Sequence, residues 1–107
     1  LRQAANCFIL GLPEAAVALC RTAIEVAIRR RVAESFGSQA AAALDLNDLI
    51  NDMARRGQVL KPDGIALAHR VRTLARDVLH REAQVTDDQA REAFEAARQV
   101  VSLLKSR

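Results

Sequence analysis

Between Pro13 and Gly37 the chain contains neither glycine nor proline. Apolar residues recur through this stretch at helical spacing. Ala16, Cys20, Ala23 and Ala27 form one row, with Val17, Ile24 and Ile28 beside it, which is the broad apolar stripe of a helix facing a core. Pro13 suits a first helical turn, where its missing N–H is no loss, and Glu14 sits near the positive end of the helix dipole. Gly37 is a natural stop. The pattern predicts one helix over residues 13–36. At 1.5 Å per residue it would run about 36 Å.

The rest of the chain reads as further helices. Residues 4–10 end a first helix, with Ala4, Cys7 and Phe8 inward and Gly11 as its stop. After Gly37, Ser38 is placed to cap a short Ala-rich helix over residues 39–44. Asp45 and Asn47 are N-cap candidates for a third main helix with Leu46, Leu49, Ile50 and Met53 apolar, ending at Arg55-Arg56-Gly57. Lys61-Pro62-Asp63-Gly64 reads as a turn, followed by a helix over residues 65–81. Thr86 and Gln89 make a capping box for a last helix whose inner face is Ala90, Phe94, Ala97, Val101 and Leu104. Alanine is the strongest helix former and poor in strands, and aromatics are only 3% of the chain. The fold class expected is all-α: an antiparallel bundle of four to five helices with short connections. One domain spans residues 1–107. Leu1 rather than Met opens the chain, so the domain is expected to be part of a longer polypeptide. With no apolar run of membrane-spanning length and no signal-peptide pattern, the expected location is cytoplasmic, away from membranes.

Composition removes several function classes. Cys7 and Cys20 lack CxxC spacing and lie in apolar helical text, as small buried thiols do. His69 and His80 have no partners at ligand spacing, so no metal is expected. Asp45, Asp48 and Asp52 read as cap and surface residues of one short helix. No glycine-rich phosphate loop and no nucleophile elbow occur, and no cofactor is expected. The net charge of +3 and pI near 9.5 permit nucleic-acid contact without demanding it, and no aromatic platform is available for stacking bases.

The densest group of functional side chains lies in Val71-Arg72-Thr73-Leu74-Ala75-Arg76-Asp77-Val78-Leu79-His80. Arg72, Arg76 and His80 recur every four residues on one helical face, beside the buriable Val71, Leu74 and Val78. A His beside Arg can cleave RNA without metal. The His moves a proton at the 2′-hydroxyl or leaving oxygen, and Arg steadies the phosphate. Flanking cations would lower that His pKa. The structural alternative is a solvated polar face. Arg29-Arg30-Arg31 is a second basic run; it either complements a helix C-terminus or contacts phosphate. Arg29, Arg30, Arg31, His69, Arg72 and Arg76 are the candidate nucleic-acid contacts, and His80, Arg76 and Arg72 the candidate catalytic group.

Three passages carry a family resemblance: Leu12-Pro13-Glu14-Ala15-Ala16 leading into Cys20-Arg21-Thr22-Ala23-Ile24-Glu25, residues 45–50 followed by Gly57-Gln58-Val59-Leu60, and the Val71 to His80 stretch followed by Val85-Thr86-Asp87-Asp88-Gln89-Ala90. In order and spacing they resemble the HEPN superfamily, in particular a bacterial HEPN-like domain-of-unknown-function family found at the ends of restriction and other defence proteins. The resemblance implies a helical bundle that often dimerises and a role around RNA or in defence against foreign nucleic acid. Active HEPN ribonucleases place an Arg and a polar residue ahead of a His. Arg76-Asp77 fits, but His80 follows one residue too soon, and Ala75-Arg76 stands where the family has Gly-Asn. The function expected is therefore a non-catalytic interaction or dimerisation module, partnered by a second copy, by other domains of its parent protein, or by RNA or DNA. The alternative is a metal-independent endoribonuclease using His80 with Arg76 or Arg72.

Overall fold

Pro13 starts the central helix and Gly37 stops it, as the spacing predicts. The computed structural model describes residues 2–9, 12–42, 44–56, 60–79 and 85–105. Five helices of two turns or more and one short turn follow in order: α1 (Arg2–Ile9), α2 (Pro13–Phe36), α3 (Ser38–Ala42), α4 (Leu46–Arg56), α5 (Pro62–Leu79) and α6 (Asp87–Lys105). No strand occurs among the described residues. The protein is an all-α helical bundle.

α2, about 36 Å long at 1.5 Å per residue, is nearly as long as the 38 Å long dimension of the molecule and touches every other helix. Its Val17, Cys20, Ile24, Ile28 and Val32 are buried. Each large aliphatic side chain taken out of water there contributes about 1.5–3 kcal/mol. Ala18, Thr22, Val26 and Arg30 form an exposed ridge on the opposite side. Cys20 is free, and burial pushes its thiol up to about 11, so it is an inert core group. The inward placement expected of Cys7 and Phe8, and the stop at Gly11, lie outside the described residues and side chains; Ala4 is buried as expected.

Two cross-links give the helix directions. Asn51 of α4 meets His69 of α5, and Arg70 of α5 meets Glu92 of α6. Each pair is nearly equidistant from the connection it spans, so α4–α5 and α5–α6 are antiparallel hairpins. Leu46, Leu49, Ile50 and Met53 of α4 all enter the main core. A second cluster closes one end of the bundle, where Val17 meets Leu74, Ala75, Ala90 and Ala93.

Several expectations need correction. Gly37, at φ 95°, donates its N–H to the Ala33 carbonyl and accepts from the Ala41 N–H, so it caps both α2 and α3. Ser38 is then the first residue of α3 rather than its cap. Asp45 alone caps α4, its Oδ1 accepting the Asp48 N–H at 2.8 Å; Asn47 lies inside the helix. Asp52 is buried, not on the surface, and its Oδ1 accepts from Arg55 at 2.7 Å. Pro62-Asp63-Gly64 is the first turn of α5 and not a loop, since the Lys61 carbonyl accepts the Ile65 N–H at 3.0 Å. Pro62 is at home there, and Gly64 is needed because the buried Leu60 side chain packs over it. In α6 the capping box forms as expected, Gln89 N–H to Thr86 Oγ1 and Thr86 N–H to Gln89 Oε1. Its inner face is rotated: Ala90, Ala93, Ala96, Ala97, Val100 and Leu104 are buried, while Phe94 and Val101 are half-buried at its margin.

Gly64→Ala is expected to cost about 1–3 kcal/mol of stability, because an added Cβ would stand 2.6 Å from Leu60 Cδ1. In urea unfolding, Gly64→Ala with Leu60→Ala should lose less than the two single changes summed. Strict additivity would show that this contact is not the cause.

A candidate anion-binding groove between α2 and α5

Arg72 and Arg76 stand on successive turns of α5 and face α2. Between them and α2 lies a groove of about 460 Å³. Arg21 and Thr22 of α2 form its other wall, and the first turn of α4, Asp45 to Asn47, closes it. Among the described residues three arginines therefore line the groove with one carboxylate, Asp45, whose Oδ1 is already used in capping α4. The start of α4 adds the positive end of a helix dipole. Ala18 and Ala75 keep the floor small, so cations rather than bulk set its character.

Each arginine is held differently. Arg21 donates to Glu25 Oε1 at 3.0 Å, an i, i+4 pair along α2. Among the described residues Arg76 has only Asp77 within ion-pair range, at 3.7 Å. Arg72 has no carboxylate partner among the described residues; its Nε donates to His69 Nδ1 at 3.4 Å. His69 Nε2 meets Asn51 Oδ1 at 3.0 Å. Since Nδ1 accepts, Nε2 carries the proton and the ring is neutral. Burial, and secondarily the Arg72 charge, lower the His69 pKa in keeping with this. His69 thus acts from behind Arg72 and does not line the groove.

The groove unites Arg72 and Arg76 of the sequence candidates. It does not gather Arg29, Arg30 and Arg31. Successive helical residues point about 100° apart, and these three diverge accordingly. Arg29 binds Glu25 and the Ala41 carbonyl, tying α3 to α2. Arg30 is exposed on the far side of α2. The Arg31 side chain is only 9% exposed and donates to Ser35 Oγ at 2.9 Å. His80 lies outside the described residues. Arg21 is not among the sequence candidates; locally it is satisfied by its i, i+4 partner Glu25. Its approach to α5 is tertiary, and no local pattern signals it. Among the described residues no three His, Cys, Asp or Glu side chains converge as a metal site, and no helix is long and apolar enough to cross a membrane.

Comparison with known families adds one finding. The chain matches the family described as "Domain of unknown function (DUF4145)" over residues 2–105. The chain belongs to this family. No curated protein and no solved structure matches it. The match covers both walls of the groove, so the groove is built wholly within the family's domain.

The His69 geometry sets a pH dependence. Its folded pKa lies below the ordinary value of 6.5, so between the two the unfolded chain binds more protons. The stability this contributes is fully present above the ordinary value and is lost as pH falls through it toward the folded pKa. Urea midpoints of the natural protein should therefore fall between about pH 7.5 and pH 5.5 more than those of His69→Gln. Equal falls in both would reject the neutral, doubly engaged imidazole.

Proposed function

We propose that this DUF4145 domain is a non-catalytic helical interaction module that holds nucleic-acid phosphates in the α2–α5 groove. The convergence of Arg21, Arg72 and Arg76 on one groove beside the α4 N-terminus carries this reading. Guanidinium groups bind phosphate oxygens in a planar fork. The HEPN-like order of motifs supports a setting in a prokaryotic defence-type or nucleic-acid-associated protein of the cytoplasm. Association with a second copy, or with other domains of a longer protein, belongs to the same reading.

Holding, rather than cutting, fits the groove chemistry. Cleavage of RNA needs a group that takes a proton and another that gives one. Among the described residues no histidine lines the groove, and both ring nitrogens of His69 are engaged. The endoribonuclease alternative rests on His80 acting with Arg76 or Arg72.

Fluorescence anisotropy with labelled single-stranded RNA and DNA, in chelator, tests the proposal. Three phosphate contacts predict a log–log salt slope of about −2, and removing two of them should reduce it by about 1.4. Arg72→Ala/Arg76→Ala is expected to weaken binding about tenfold or more at low salt. The proposal fails if neither nucleic acid binds at low salt. RNA cleavage that disappears in His80→Ala would replace it with the nuclease alternative.

A further inference from the structure

The other flank of α2 carries a second groove, of about 580 Å³, between α1, α2 and α6. Its floor includes Ala23, Val26 and Ala27 of α2 and Val101 of α6. Val26, at the middle of the central helix, is 50% exposed. Ala23 and Ala27 are one turn apart, and such small side chains let a second helix approach to the short end of the usual 8–10 Å. Arg2 and Arg30 border this floor.

Charge distinguishes the occupant. Arg21, Arg29, Arg55, Arg70 and Arg98 are each paired with a carboxylate. Among the described residues Arg2 and Arg30 have no hydrogen-bond or ion-pair partner, and no acidic one lines this groove. An apolar strip bordered by two unpaired cations is complementary to an amphipathic helix with an apolar stripe and acidic flanks. A second copy offering the same groove would bring two more guanidinium groups against these two. From Leu19 to Arg30 the lined part of α2 runs about 16 Å, three turns of a docked helix.

We propose that the α1–α2–α6 groove docks an acidic amphipathic helix of a partner protein. The partner's apolar stripe covers Val26 and its flanking carboxylates pair with Arg2 and Arg30. The groove lies on the opposite flank of α2 from the arginines of the α2–α5 groove, so a protein partner and a nucleic acid would be held independently.

The probe is a helix-stabilised peptide of about 16 residues, with leucines in one stripe and glutamates on both flanks. A second peptide carries lysines in place of the glutamates. In anisotropy titrations of the 107-residue protein, the glutamate peptide should bind with a dissociation constant on the order of 10 µM, and the lysine peptide about tenfold more weakly. Val26→Asp should weaken the glutamate peptide about tenfold; because Val26 is exposed, circular dichroism should show an unchanged fold. Arg2→Glu/Arg30→Glu should reverse the preference, so that the lysine peptide binds better. Arg72→Ala should leave peptide binding unchanged. The proposal is overturned if the glutamate peptide does not saturate, if both peptides bind alike, or if Val26→Asp has no effect. It is also overturned if light scattering shows a dimer that Val26→Asp dissolves, since a second copy would then be the occupant. Loss of RNA binding in Arg2→Glu/Arg30→Glu, without peptide binding by the natural protein, would assign this flank to nucleic acid instead.

Discussion

The burial of one side of α2 is the constraint on which the rest depends. Val17, Ile24, Ile28 and Val32 can leave water only if other helices cover them, and five elements do so. Covering one side of α2 leaves the other side as a continuous outer ridge from Ala18 to Arg30. Both grooves follow from this arrangement. One forms where α5 and the start of α4 meet the ridge, the other where α1 and α6 do, and Thr22 borders both. The sites are thus consequences of packing around a central rod, with the chemistry supplied by what each neighbour presents.

How much of this was legible in the sequence depends on range. The bounds of α2, the Asp45 cap and the Thr86–Gln89 box are local chemistry between residues a few positions apart, and each forms as read. Pro62 and Gly64 misled because a Pro-x-Gly turn and a Pro-started helical turn look alike locally. What separates them is Leu60 folding back over Gly64. In α6, Phe94 suggested an inner face by size, but α2 packs against the narrow alanine side instead, with Ala93 and Ala97 buried. Close packing rewards fit as well as area, so the larger residue sits at the margin.

The site followed the same division. Arg72 and Arg76 share a face because they are four residues apart, a relation visible in the sequence. Arg21 joins them only through the packing of α2 on α5. The run Arg29-Arg30-Arg31 looked like one basic patch, yet the helix turns it into three unrelated roles: a tie to α3, a border of the second groove, and a buried side chain bound to Ser35. Adjacent charges in a helix cannot act as a patch, whereas charges separated by a turn can.

The support behind Arg72 bears on what the first groove can do. A guanidinium is normally steadied by a carboxylate, which would cancel part of the field it presents to an anion. Here a neutral imidazole accepts from Nε and is itself fixed by Asn51. The terminal nitrogens of Arg72 keep their donors and full charge, and side-chain freedom is reduced before any ligand arrives. The same arrangement takes His69 out of use as a proton carrier, because its lone pair is committed to Arg72 and its proton to Asn51. His69 is thus committed to anchoring an arginine, and any proton transfer in the groove would have to come from another residue.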